Sequence, residues 1–116
     1  MNISIYSCNE KMAAFVRGEM ICLDVRDLPD PSPIVQDLFG TDPRVWEAMV
    51  AEDEQLVMRK AIAAAVWALT NKTLCVFCEG GWHRSVAIVE KAAEMLRRMD
   101  DSGFIKVDVI HMETKK

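Results

Sequence analysis

The residues best equipped for chemistry lie in one run of eight, Cys78-Glu79-Gly80-Gly81-Trp82-His83-Arg84-Ser85. The run follows an apolar stretch typical of a buried strand and precedes apolar residues at helical spacing, which predicts a strand, a glycine turn and a helix start. The first amides of a helix have no partner within the helix and lie at the positive end of its dipole. Because glycines also let the backbone approach a ligand closely, the run predicts an anion site.

Side chains of the same run extend this prediction to phosphate. Arg84 offers a planar fork to two phosphate oxygens, Ser85 a hydroxyl, and His83 a donor whose charge changes near neutral pH. Trp82 is suited to stack on a sugar or base, and equally to pack against the helix start. Arg26, which closes an earlier strand, either reaches the same anion or pairs with a neighbouring aspartate. An ordinary glycine turn with solvated side chains is the alternative to a phosphate site.

The spacing between Cys78 and Arg84 is also that of cysteine-dependent phosphatases. Cys78 would then be the thiolate nucleophile, and Asp27 or Asp30 would be the general acid. The negative charge of Glu79 beside the proposed thiolate argues against this interpretation, so we expect ligand binding without turnover. A third interpretation is a protein-interaction module in which the pocket is vestigial.

Cys75 and Cys78 form a CxxC pair. The residues between them are strand formers, so the two side chains are expected on opposite faces of a sheet, whereas redox pairs straddle a helix start. Zinc would require further ligands, and the remaining histidines and cysteines show no ligand-like spacing. We therefore expect no metal and no cofactor, and we interpret Cys22 and Cys75 as small buried apolar residues.

The elements that must position these residues follow from hydrophobic periodicity. Strands are predicted at 3–6, 20–25, 73–78 and 104–110, and helices at 11–17, 44–51, 54–69 and 84–99. This alternation predicts an α/β fold with three layers, in which helices cover both faces of a mostly parallel four-stranded sheet. The first two strands have the apolar character of central strands, and the last reads as an edge strand. Functional loops should cluster at the carboxyl ends of the strands.

Two connecting segments have their own signatures. Residues 26–33 hold three of the four prolines, which predicts a rigid, extended connector without a helix. Gly40-Thr41-Asp42-Pro43 predicts a turn in which Thr41 or Asp42 caps a helix that begins at Pro43.

Composition limits the classes of protein that these elements can form. The 116 residues, 51% hydrophobic and 28% charged, suit one packed domain over 1–116. A formal net charge of -4 gives no overall attraction to nucleic acid or anionic lipid. The longest apolar stretch, 61–69, is far shorter than the roughly 20 residues that span a bilayer. Because the first residues also lack a signal-peptide pattern, we expect a cytoplasmic protein with no membrane partner.

Three ordered motifs together resemble the C-terminal domain of the RapZ family, the bacterial RNase adapter proteins. They are Asp24-Val25-Arg26-Asp27-Leu28-Pro29-Asp30-Pro31, Gly40-Thr41-Asp42-Pro43 and Cys78 to Val86. The resemblance runs from about residue 20 to His111. It implies binding of a phosphorylated amino sugar, a contribution to small-RNA binding, and a bacterial or phage source. The family's kinase-like domain carries a P-loop that binds nucleotide, and this sequence has no such motif.

The chain departs from the family pattern at several positions. Asp30 and Ser32 stand where the family commonly has asparagine and a histidine or aromatic residue, and Glu79 replaces a threonine. These differences predict a changed ligand preference. The family's basic tail is reduced to Lys115-Lys116, so we expect weak RNA binding. Expected partners are a phosphorylated small molecule, a second copy of the chain, or a RapZ-like protein.

Overall fold

The computed structural model describes residues 1–113, so Lys115 and Lys116 of the predicted reduced tail lie outside the described residues. Its strands are β1 (Asn2–Asn9), β2 (Cys22–Asp24), β3 (Thr73–Cys78) and β4 (Lys106–His111). Its helices are α1 (Glu10–Val16), α2 (Ser32–Val35), α3 (Pro43–Asn71) and α4 (Arg84–Met99). The strands form one sheet in the order β2-β3-β1-β4, and every neighbouring pair is parallel. The predicted parallel α/β sheet is confirmed.

Helices cover both faces of the sheet, as predicted. On one face α3 and α4 pack against each other and against the sheet, and they enclose the main core. On the other face α1 covers a smaller cluster built from Cys8, Ala13, Cys75 and Phe77. Side chains along β3 alternate between these two cores, because successive residues of a strand point to opposite faces.

The path of the chain explains this division. From β1 the chain passes β3 to reach β2, and α1 lies on the smaller-core face of the sheet. The connections from β2 to β3 and from β3 to β4 run in the opposite direction, and their helices lie on the other face. Parallel crossovers share one hand, so reversing the direction moves the helix across the sheet. The reversal falls between β1 and β3.

The prediction of a central position for the second strand is wrong, since β2 is an edge strand. Leu23 packs into the main core, and Cys22 packs against the smaller cluster. Helices therefore cover both faces of β2 although it has only one neighbouring strand. An apolar run in a strand indicates that both faces of the strand pack against other residues. It does not indicate how many strands lie beside it in the sheet.

Helix α3 begins and bends where the sequence predicts. Asp42 is its N-cap, with the carboxylate accepting a hydrogen bond from the Arg44 amide at 3.0 Å, and Pro43 is the first helical residue. Asp53 has non-helical backbone angles and separates two halves that match the predicted helices 44–51 and 54–69. Its carboxylate accepts from the Leu56 amide at 3.2 Å and caps the second half. No helix within residues 1–113 is long and apolar enough to cross a membrane.

The segment of residues 26–33, called the proline segment below, differs from the prediction of an extended connector. The short helix α2 begins at its end, with Pro33 in the first turn. Proline is tolerated there because the first amides of a helix have no acceptor within the helix. Val35 anchors α2 in the main core, and Gln36 follows it.

Candidate functional site

The run that begins at Cys78 lies over the boundary between β1 and β3. Cys78 ends β3 beside Asn9, the last residue of β1. A Cβ on Gly81 would lie 2.8 Å from the Asn9 amide nitrogen and 2.9 Å from the Cys8 carbonyl carbon, so only glycine fits there. The φ of +77° at Gly81 also favours glycine. The loop thus rests on the end of β1, at the crevice where parallel α/β sheets bind ligands.

The thiol of Cys78 is held inside this loop. Its sulfur accepts from the amides of Gly81 at 3.2 Å and Ser85 at 3.5 Å. The thiol lies 3.3 Å from the Ser85 hydroxyl oxygen, to which it donates. These contacts curl residues 78–85 around the sulfur and aim the N-terminus of α4 at the same space. The N-cap residue His83 makes no side-chain capping hydrogen bond, and among the described residues the Cys78 sulfur takes up only the Ser85 amide of the first turn.

Arg84, the first residue of α4, is 9% exposed. Its Nη1 donates to the carbonyl oxygens of Arg26 at 2.7 Å and Leu28 at 3.3 Å. The proline segment therefore holds the guanidinium in place by its backbone. Within residues 1–113 Arg84 forms no ion pair within 4 Å, and its hydrogen bonds go to neutral carbonyl groups, while the Asp30 carboxylate lies near enough to feel its charge.

His83 contributes a second buried polar group. Its Nδ1 lies 3.2 Å from the hydroxyl oxygen of Ser32. Its Nε2 is buried and has no hydrogen-bond partner among the described residues. Buried polar atoms are almost always paired in folded proteins, so this nitrogen is suited to meet a ligand.

A cavity of about 390 Å³ opens beside these groups. It is lined by Asp30, Ser32, Gln36, Cys78, Glu79, Gly80, Trp82, His83 and Arg84. Burial alone would raise the pKa of Asp30, but hydrogen bonds from Ser32 and the nearby charges of Arg84 and His83 lower it below its ordinary value. Asp30 is therefore a carboxylate at neutral pH, and the cavity presents one guanidinium with two carboxylates.

Four predicted site residues are absent from the described cavity lining: Gly81 packs on the end of β1, Ser85 has no exposed surface, and Arg26 and Asp27 are paired elsewhere. The Arg26 side chain pairs with Asp24 at 2.7 Å and Glu10 at 3.0 Å, and the described cavity lining does not include it. Asp24 folds back onto Arg26 because its carboxylate also accepts from the Arg26 amide at 2.9 Å. Asp27 pairs with Lys60 at 3.2 Å, also away from the cavity lining. Of the two predicted general acids, the structure brings only Asp30 beside Cys78.

The sequence did not indicate three contributors to the site. Gln36 reaches the cavity through α2, which was not predicted, and Ser32 was noted only as a departure from the family pattern. Gly40, which the sequence places in a turn and in a motif of the family resemblance but not in the site, donates its amide to the Trp82 carbonyl at 2.7 Å. The one sequence feature that points to Gly40 is its position two residues before the helix cap Asp42.

A row of three hydrogen-bonded polar side chains lies near the end of β4, and its residue types resemble those of a catalytic site. The Ser7 hydroxyl lies 2.6 Å from His111 Nδ1, and Nε2 of the same ring lies 2.8 Å from the Glu90 carboxylate. Ser7 has no exposed surface, so no substrate reaches its hydroxyl. The three hydrogen-bonded side chains connect β1 and β4 to α4. Among residues 1–113 no group of three or more histidine, cysteine or acidic side chains is arranged to hold a metal ion.

Comparison with known proteins agrees with this architecture. The family model described as RapZ C-terminal domain matches residues 1–115. A nucleotide-binding protein of Thermus thermophilus is 34% identical over 106 residues, which is 83% of this chain and 37% of that protein. Nucleotide-binding proteins of a Synechococcus strain and of Rubrobacter xylanophilus are 32% and 34% identical over 108 and 101 residues, covering 84% and 78% of this chain but 32% and 33% of their own lengths. The chain thus spans about a third of the length of these relatives.

Proposed function

Because the chain belongs to the RapZ C-terminal domain family, we propose that residues 78–85 bind a phosphorylated small molecule and that the domain acts as a sensor or binding module. The observation that carries the proposal is the Arg84 guanidinium, nine-tenths buried with no ion pair among the described residues. A buried charge is costly unless it is paired. A phosphate dianion beside Arg84 would supply the missing partner.

The surroundings of Arg84 favour phosphate in particular. Only Nη1 of the guanidinium has a partner among the described hydrogen bonds, which leaves further N–H groups for a bidentate contact. The N-terminus of α4, where His83 makes no side-chain capping hydrogen bond, adds amide donors and the positive end of the helix dipole. His83 Nε2 adds a buried group without a protein partner. A tetrahedral anion with several acceptor oxygens satisfies all of these groups together.

The two carboxylates narrow the class of ligand. Asp30 and Glu79 repel a phosphate placed next to them, but they accept hydrogen bonds from hydroxyl or amino groups. An organic phosphate that carries such groups, for example a sugar phosphate, would place its anion at Arg84 and its other groups at the carboxylates. The matched relatives are named nucleotide-binding proteins, but the family resemblance assigns that binding to the P-loop of the kinase-like domain, so their name does not identify the ligand of this site.

Thermal unfolding with and without ligand tests this proposal. A ligand that binds only the folded protein stabilises it by about 2.7 kcal/mol at a concentration of about 100 times Kd. We expect hexose phosphates or hexosamine phosphates to raise the melting temperature of the native protein, and Arg84→Ala to abolish the increase. Arg44→Ala, at the start of α3 and away from the cavity, is the matched control and should keep it. An equal increase in Arg84→Ala, measured from its own ligand-free melting temperature, would remove Arg84 from the site.

A second candidate function uses the same loop as a phosphatase. Cys78 lines the cavity, its sulfur accepts from the amides of Gly81 and Ser85, and Arg84 follows it at the spacing of cysteine-dependent phosphatases. The thiolate would attack phosphorus and break the bond to the leaving oxygen, which a carboxylic acid must protonate. Water would then hydrolyse the cysteinyl phosphate and release inorganic phosphate and the thiol. Asp30 is the one predicted acid at the cavity, and its lowered pKa keeps it ionised.

Turnover of an aryl phosphate separates the two functions. The binding proposal predicts no release of phosphate by the native protein above a buffer blank. Release that disappears in Cys78→Ser and persists in Cys75→Ser would establish the phosphatase. Cys75 is the matched control because it lies on the same strand but faces the opposite side of the sheet.

A further inference from the structure

Two thiols meet beneath α1, on the face of the sheet away from the phosphate cavity. Cys8 of β1 and Cys75 of β3 have no exposed surface, and their sulfur atoms are 2.8 Å apart. Cys22 of β2 pairs in register with Cys75 and packs against the same cluster. All these cysteines are free thiols. Three neighbouring strands thus carry a row of cysteines that the phosphate site does not use.

The contact between Cys8 and Cys75 gives the two thiols different reactivity. The hydrogen bond from Cys75 lowers the pKa of Cys8, although burial and the charge of Glu113 oppose this effect. The same hydrogen bond and burial raise the pKa of Cys75, and burial raises that of Cys22. The thiolate is the reactive form of cysteine, so Cys8 is the nucleophile of the cluster and Cys75 is the neighbouring thiol.

The geometry needs little change to form a bond between these sulfurs. A disulfide has a sulfur–sulfur distance of about 2.05 Å, so the sulfur atoms of Cys8 and Cys75 must approach each other by only about 0.8 Å. Cys8 lies in register with Phe77 and Cys75 with Tyr6, so the two cysteines are offset by two residues on adjacent parallel strands. Closing the bond therefore takes a small approach of the two backbones in addition to side-chain rotation.

The cover over the thiols is weak. Helix α1 has seven residues, of which only Ala13 is fully buried, while Phe15 is 83% exposed. Helices of this length are marginally stable, and elements with few buried contacts open locally without global unfolding. Opening of α1 gives a small oxidant access to Cys8.

We propose that Cys8 and Cys75 form a reversible disulfide when the protein meets a hydroperoxide. The Cys8 thiolate attacks the peroxide O–O bond and takes one oxygen as a sulfenic acid, and the other oxygen leaves as an alkoxide that is protonated to an alcohol, or to water from hydrogen peroxide. The Cys75 thiol then attacks the sulfenic sulfur and expels water. Two thiols lose two electrons and two protons, and the hydroperoxide is reduced. A dithiol reductant reverses the reaction by exchange.

Hydrogen peroxide treatment of the native protein, followed by acid quenching, alkylation and peptide mapping, tests the proposal. We expect a mass loss of about 2 Da, a cross-link between the peptides that contain Cys8 and Cys75, and full recovery with dithiothreitol. Cys8→Ser and Cys75→Ser should lose the cross-link, whereas Cys22→Ser and Cys78→Ser should retain it. The mapping of the native chain decides the question even if a variant fails to fold.

Three outcomes would overturn the proposal. One is irreversible oxidation of Cys78 with Cys8 and Cys75 left as thiols. Another is a cross-link between Cys22 and Cys75, which would make Cys8 a bystander. The last is a cross-link found only between molecules, identified by non-reducing electrophoresis.

Discussion

Individual glycines decide whether the loop of residues 78–85 can take its shape. Gly81 lets the loop lie on the end of β1, and its positive φ excludes most other residues. Gly40 lies against the other side of the loop, where a Cβ would stand 2.6 Å from Val86 Cβ and 2.7 Å and 2.8 Å from the carbonyl oxygens of His83 and Trp82. Two of these three neighbours are backbone atoms, so they cannot swing away. The loop is therefore clamped between two glycines from separate parts of the chain.

Gly40→Ala should destabilise the protein. Overpacking a well-packed site costs about 1–3 kcal/mol, and the new methyl group must displace the backbone of the loop. Urea unfolding should show a lower midpoint with an unchanged slope. Gly18→Ala is the control, since nothing lies within 4 Å of a Cβ at Gly18. Equal midpoints for the two variants would show that the Gly40 contact is not tight in solution.

At the scale of residues, the sequence indicates a contiguous group of candidate residues more readily than a dispersed one. Spacing and residue type indicate Cys78 and Arg84 because they belong to one strand–turn–helix unit. Arg26 shows the limit, since its side chain can satisfy its charge locally on Asp24, and sequence cannot tell a local partner from a distant anion. Gln36 reaches the cavity only through tertiary packing, which leaves no local signal.

At the scale of elements, periodicity predicted the four strands and the longer helices. It predicted neither the short helix α2 nor which strands lie next to each other in the sheet. The break at Asp53 is visible in the sequence because its carboxylate caps a new helix start. The position of β2 at an edge is not visible, because helices on both faces produce the apolar run typical of a central strand. Strand order follows from the direction of each crossover, a property of the whole chain.

The two helical layers also differ in how firmly they hold the sheet. Helix α4 buries nine of its sixteen residues, whereas α1 buries one of seven. The face under α4 therefore carries more of the buried contacts, and we expect the face under α1 to open first. The loop of residues 78–85 adjoins the extensively buried helix, whereas the Cys8–Cys75 pair lies beneath the less buried one.

At the scale of the whole molecule, charge decides how the domain meets RNA. The formal net charge is -4, and the cations along α4 are largely occupied. Glu94 lies 3.6 Å from Lys91 and 3.3 Å from Arg98, and Arg97 donates to the Val107 carbonyl at 2.8 Å. Lys91 also lies over the Trp46 ring, 4.7 Å from its centre. The basic side chains of this helix are thus interleaved with Glu90 and Glu94 and engaged with neighbouring groups.

The isolated protein should bind a structured RNA no more tightly than the micromolar, non-specific range at physiological salt. Each phosphate neutralised on a single strand adds roughly 0.7 to the slope of log affinity against log salt, so a protein with few phosphate contacts binds weakly and loses little affinity as salt rises. Filter binding of a stem-loop RNA across a salt series measures both quantities, and sedimentation shows whether the protein is monomeric. Tighter binding that appears only in an oligomer would mean that patches on separate copies act together. Nanomolar affinity by a demonstrated monomer, with a steep salt dependence, would instead show that the neutralising partners on α4 give way to RNA phosphates.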